Sequence, residues 1–165
     1  IAFYRANGAE VVLIVPLPEL ATAMDVDVTF QAYDPLMTDI VAVMFPPEAG
    51  FQGLGDAAAQ VVTNLDERGL GLVTYPEGLN TGHKVAVSED VPAGPIFRDL
   101  DGDGQAGDVM RRFLDNVAFR ARNDEGVIAV ARVRPESIQA LLEWSLGNRA
   151  QSVNFAPVSA VLLDE

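Results

Sequence analysis

Apolar residues fall into short runs and helical stripes that alternate along the whole chain. Glu10-Val-Val-Leu-Ile-Val15 is a continuous β-branched run stopped by Pro16, the pattern of a strand buried on both faces. Ile40–Phe45 repeats it and ends at Pro46-Pro47, and Leu70–Thr74, Pro95–Phe97, Gly126–Ala131 and Val153–Phe155 predict four further short strands. Between these runs the period lengthens. Asp56–Arg68 brings Ala57, Val61, Val62 and Leu65 to one helix face, with Gly69 as terminator. Asp108–Arg122 aligns Val109, Phe113 and Val117 along one side, and Arg120 falls on the same stripe. Pro135 opens a helix that runs to about Leu146 and stops at Gly147-Asn148. Ile1–Asn7 reads as the tail of a helix closed by Asn7-Gly8, and His83–Glu89 as a short helix. Asp25 is a candidate N-cap for a helix burying Val26, Phe30, Tyr33 and Met37. Val26, Val28 and Phe30 also alternate as in a strand, and Pro35 interrupts both patterns.

Strands and helices in alternation predict an α/β fold with a parallel sheet. No repeat, low-complexity tract or linker divides the chain, so residues 1–165 are read as one domain. It opens inside an amphipathic element, whereas a helix of an α/β fold normally follows a strand. The expectation is that at least one strand precedes Ile1.

Composition narrows the function classes. The chain carries 24 acidic and 11 basic residues, a formal charge of −13, one histidine and no cysteine. Nucleic-acid binding rests on Lys and Arg meeting phosphate, and this balance argues against it. Without cysteine there is no thiol nucleophile, disulfide or thiolate zinc site. With His83 alone, multi-histidine metal sites within the chain are excluded. No apolar run approaches the length of a membrane span, and no signal segment is present.

Four groups of residues could carry chemistry. Asp99-Leu-Asp101-Gly-Asp103-Gly104 has the spacing of the first half of a calcium loop, with oxygens at alternate positions and a glycine for the turn. The twelfth position, where such a loop has a bidentate Glu, is Met110. Either Asp99, Asp101, Asp103 and Asp108 form a non-standard structural calcium site, or the loop is a turn that places carboxylates at the next helix's N-terminus. His83, in a loop after Asn80-Thr81-Gly82, is a candidate general base or an ordinary residue at a helix start. Glu19, Glu48, Glu77, Asp99 and Asp101 lie near strand ends, where α/β folds gather their sites, and a pair of them could do acid–base work. Arg132 and Arg134 flank Val133 at the end of the fifth strand. They could bind an anionic ligand or pair with the carboxylates.

Four segments in order carry a resemblance. Asn7-Gly-Ala-Glu-Val-Val-Leu-Ile-Val-Pro16, Leu65-Asp-Glu-Arg-Gly-Leu70, Ala131-Arg-Val-Arg-Pro-Glu-Ser137 and Ala156-Pro-Val-Ser-Ala-Val161 resemble the divergent polysaccharide deacetylase family over nearly the whole chain. The third is similar to the family segment Gly-His-Pro-x-Pro-Glu-Thr. The resemblance implies a distorted NodB-like (β/α) barrel, lacking its first strand in this chain, and a role in periplasmic or cell-envelope carbohydrate metabolism. It implies deacylation of an N- or O-acetyl sugar by water activated on a divalent metal held by Asp and two His. Those ligands do not carry over. The family's His falls on Arg132, the stretch Val43–Pro47 holds no His, and the paired Asp would lie before Ile1. Tyr75-Pro-Glu77 replaces the family's Asp-rich loop, leaving Glu77 as its acid. The expectation is a degenerate site that binds a glycan or peptidoglycan fragment without hydrolysing it, with no zinc. The alternatives are an active metal-dependent deacetylase using Glu77, Asp99 or Asp101, and a scaffold or interaction domain of an envelope protein. Oligomeric state is left open.

Overall fold

Five short parallel strands carry the fold, in the order β1-β2-β3-β4-β5. Neighbours in the sheet are neighbours in the chain, with no switch point, which is the winding of a (β/α) barrel and not of a doubly wound sheet. The computed structural model describes residues 1–46, 55–76, 78–124 and 126–163. These fall into two compact units, Ile1–Pro95 with Pro157–Leu163, and Ile96–Ala156.

The first unit holds β1 (Val12–Ile14), β2 (Ala42–Met44), β3 (Gly71–Thr74) and the opening of β4 (Ala93–Asp99), which pairs Leu72 with Ala93. Its helices are α1 (Ala2–Ala6), α2 (Ala23–Met37), α3 (Gly55–Asp66), α4 (Thr81–Ser88) and α7 (Val158–Leu162). The β-branched and aromatic run-ends predicted as strands form the core: Val15, Val43, Phe45 and Leu72 pack with Phe30, Val61 and Leu65 from the helices. Gly71 is set by close approach, since a Cβ there would meet Leu162 at 2.8 Å and the Pro92 carbonyl at 3.1 Å. Glu10 fixes α7 by accepting from the Ser159 backbone N–H at 2.9 Å and from its hydroxyl.

The α2 ambiguity resolves as helix. Thr22, not Asp25, is the N-cap, and Asp25 sits at N3 and closes a capping box, accepting from the Thr22 N–H at 2.8 Å. That contact, with the Thr22 hydroxyl, holds the Asp25 carboxyl below its ordinary range. Val26, Phe30 and Met37 are buried as the helical spacing predicts, and Pro35 is accommodated in the last turn. Asp27 of α2 accepts from Gln60 and Asn64 of α3, each at 2.7 Å, a polar seam beside the apolar one.

The second unit holds the rest of β4, β5 (Ile128–Val130), α5 (Gly107–Ala121) and α6 (Pro135–Ser145), then a single 3-10 turn at Ala150–Ser152. Leu100, Leu114, Ala118, Trp144 and Ala150 form its core, and the Trp144 indole donates to Asp115 at 2.9 Å. Two expectations are corrected here. On α5 the fully buried stripe is Met110, Leu114 and Ala118, one position on from Val109, Phe113 and Val117, which are half-buried, and Arg120 is exposed. Both sets obey the same i, i+4 spacing, so periodicity alone does not choose between them. The sixth strand at Val153–Phe155 does not form. Proline at 157 cannot donate to a ladder, and Phe155 instead meets Trp144 edge to face with ring centroids 6.1 Å apart. No helix of the described residues is long and apolar enough to cross a membrane.

Candidate functional site

β4 and β5 end together in the second unit. Asp99 is in register with Val130, and the Leu100 N–H donates to the Val130 carbonyl at 2.9 Å. Each strand then delivers polar residues to the same end: Asp99 and Asp101 from β4, Arg132 from β5. The Arg132 guanidinium donates from Nη1 to Asp99 at 2.7 and 3.0 Å and to Asp101 at 2.8 Å. The backbone N–H of Arg132 also reaches Asp101, at 2.9 Å to Oδ2. Ser137, in the first turn of α6, donates its hydroxyl to the same oxygen at 2.5 Å. Asp101 is only 2% exposed, and its charge survives because three donors reach it: the Arg132 Nη1, the Arg132 N–H and the Ser137 hydroxyl. Burial pushes its carboxyl up, but the bonds from Ser137 and Arg132 outweigh burial and leave it below the ordinary value. Arg132 is held firmly protonated by its hydrogen bonds to Asp99 and Asp101. The turn that follows is shaped for this. A Cβ on Gly102 would lie 2.6 Å from Asp99 Oδ2, and Gly104 takes φ +69° as its N–H closes onto the Asp101 carbonyl at 3.1 Å.

A second polar group lies at the end of β3 in the first unit. Thr74 is the last strand residue and is 1% exposed. Asn80 precedes α4 in the left-handed region, φ 45° and ψ 51°, and donates from Nδ2 to the Thr74 hydroxyl at 3.1 Å. Asn80 makes no capping bond to α4. Its Oδ1 and the Nδ1 of His83 are both buried and find no hydrogen-bond partner among the described residues.

The family model for divergent polysaccharide deacetylases matches residues 2–162, almost the full chain. The chain belongs to the divergent polysaccharide deacetylase family. Among solved structures, the uncharacterized protein ATU2773 from Agrobacterium tumefaciens C58 is similar at 23% identity with a TM-score of 0.81, covering 95% of this chain and 70% of that one. That likeness supports the α/β fold. A comparison with curated proteins gave no match.

The polar residues of this divergent polysaccharide deacetylase domain are largely paired with one another. Arg132, read as either an anion receptor or a partner of the carboxylates, pairs its Nη1 with Asp99 and Asp101. Arg134 is exposed and donates to the Asp101 carbonyl at 3.1 Å. The four calcium-loop candidates are not gathered as a ligand set. Asp99 and Asp101 face Arg132, Asp103 is exposed and bonded to Gln105 at 3.1 Å, and Asp108 sits exposed in the first turn of α5 beside Arg112. No group of three His, Asp or Glu among the described residues could hold a metal. The position where the resemblance places a histidine holds Arg132, and a guanidinium has no lone pair for a cation and repels one. Glu48 and Glu77 lie outside the described residues, and Glu19 is exposed. His83 belongs to α4, which starts at Thr81, two residues before the expected start. Three partners escaped the sequence reading: Ser137, Thr74 and Asn80. Ser137 had a signal in its place two residues after Pro135, in the first turn of α6.

Proposed function

We propose that this divergent polysaccharide deacetylase domain binds a carbohydrate ligand of the cell envelope and does not hydrolyse it. The single observation that supports this reading is the Arg132 guanidinium at the strand-end position where the resemblance places a metal-binding histidine, with its Nη1 paired to both Asp99 and Asp101. A guanidinium stays charged, holds two carboxylates in place and offers no lone pair to a metal. Catalysis of the family kind needs a metal to lower the pKa of water and polarise the acyl carbonyl. Asp99 and Asp101 share the Arg132 cation, and this reading gives them a structural role in place of ligand or general base. The family's carbohydrate association and a location in the periplasm or envelope complete the proposal.

The test is acetate release from acetylated chitooligosaccharides and peptidoglycan fragments, with and without added zinc, beside calorimetry with the same compounds. The expected result is saturable heat with no acetate. Zinc-dependent acetate release would overturn the reading in favour of an active deacetylase. Absence of heat with every glycan, together with capture of a defined protein partner, would favour a scaffold.

A further inference from the structure

We propose that Thr74, Asn80 and His83 form a subsite for a hydroxyl group of a neutral, polyhydroxylated ligand at the C-terminal end of β3. This deepens the carbohydrate-binding reading and rests on it for the ligand class. The residues come from the first unit alone: Thr74 ends β3, Asn80 precedes α4 and His83 lies in its first turn. The ends of parallel strands are where α/β folds present side chains to ligands.

Three features point to a ligand. Asn80 holds a left-handed backbone, φ 45° and ψ 51°, and its side chain makes no capping bond to α4. Asparagine tolerates that region, but the conformation still costs energy and is kept where something fixes it. The side chain is anchored from one end only, by the Nδ2 bond to the buried Thr74 hydroxyl at 3.1 Å. The other end, Oδ1, and the His83 Nδ1 are buried without partners among the described residues. Buried polar atoms in native proteins nearly always have a partner, and each exception calls for a reason. Of the three such exceptions among the described residues, Arg98 Nε lies elsewhere, on β4, and the other two lie three residues apart on one helix start and call for a single reason.

The chemistry of the missing partner follows from the atoms. Asn80 Oδ1 accepts only. Rotating the amide by half a turn leaves Nδ2, which donates only, in its place. His83 Nδ1 accepts in one tautomer and donates in the other. A hydroxyl is both donor and acceptor, so it satisfies every one of these states. A carboxylate or phosphate cannot donate to Oδ1, and the −13 charge of the chain disfavours an anion further. An ammonium cannot accept. Sugars present hydroxyls in quantity. His83 and Asn80 match no metal-ligand position implied by the family resemblance, so the subsite is distinct from the deacetylase metal set.

His83 is the sole histidine, so its imidazole resonances report on this place without ambiguity. The experiment is a titration of the intact protein with N-acetylglucosamine oligomers, read by His83 imidazole NMR and by calorimetry on the same samples. The expected result is a saturable shift of the His83 signals with the same midpoint as the heat. In Asn80→Gly, which keeps the left-handed backbone and deletes the amide, the midpoint should move at least tenfold to weaker binding, with an unchanged melting temperature. Heat without movement of His83 overturns the subsite and leaves the carbohydrate-binding reading standing. No heat and no movement overturns both. Equal midpoints for wild type and Asn80→Gly also overturn the subsite.

Discussion

Two polar clusters sit at strand ends, one in each unit, and they are built on opposite terms. At the ends of β4 and β5, Asp101 is 2% exposed and its carboxylate takes bonds from the Arg132 guanidinium, the Arg132 N–H and the Ser137 hydroxyl. At the end of β3, Asn80 and His83 keep buried atoms with no partner among the described residues. A fully satisfied buried network is a stabilising and specifying element, while an unsatisfied one lowers stability until something fills it. On the reading proposed above, the first cluster acts as structure and the second as a place for a ligand, although the family resemblance points to the first.

The strongest way to break the contrast is to remove the arginine. Arg132→Met leaves the buried Asp101 charge and Asp99 without their cation. Loss of one partner of a buried pair costs about 3–5 kcal/mol, and the 40% exposure of the Arg132 side chain reduces the expectation to about 2–4 kcal/mol. Urea denaturation at neutral pH measures it. The size of that loss should depend on pH. Wild-type Asp101 lies below its ordinary value of about 4, so its contribution is complete above that pH and fades as pH falls through the lowered folded value. In Arg132→Met the Ser137 and backbone N–H bonds remain but the guanidinium is lost, so the carboxyl sits higher than in the wild type and acid relieves the variant. The stability gap should narrow steadily on acidification, and a constant gap between pH 7 and pH 3 would contradict the pairing.

A smaller effect is expected from the turn. Gly102→Ala places a methyl 2.6 Å from Asp99 Oδ2, so Asp99 must swing off Arg132. Overpacking of this kind costs about 1–3 kcal/mol, read as a lowered urea midpoint with an unchanged slope. Ser137→Ala deletes one donor to a buried carboxylate and should cost about 1–2 kcal/mol by the same measurement. Smallest of all, Asn80→Gly should leave stability within about 0.5 kcal/mol. Glycine suits φ 45° and the lost amide contributes one bond while carrying one unsatisfied atom. A loss as large as that of Ser137→Ala would place Asn80 among the structural residues and erase the difference between the clusters.

The parts read correctly from sequence are those fixed by local chemistry. β-branched runs bounded by proline gave β1 and β2, and Pro135 at N1 marked the start of α6. The α5 face was read one position off because two apolar stripes with the same spacing compete, and only packing in the second unit selects Met110, Leu114 and Ala118. Asp99, Asp101 and Arg132 could be named as candidates because they are charged residues at strand ends. Their pairing was one of two readings, and it is decided by the β4–β5 register, which brings residues 31 and 33 apart in sequence into contact. Asn80 carried almost no signal. A left-handed residue without a cap bond looks in sequence like any asparagine before a helix, and its unsatisfied oxygen exists only in the folded chain.

The most direct measurement is zinc stoichiometry of the purified protein after loading with zinc and desalting, by elemental mass spectrometry, for wild type and for Arg132→His. Wild type is expected to retain far less than one equivalent, because the strand-end position holds a guanidinium that repels the ion. One tightly held equivalent in the wild type, lost when Asp99 or Asp101 is replaced by Asn, would contradict the central claim that Arg132 has taken the place of the metal.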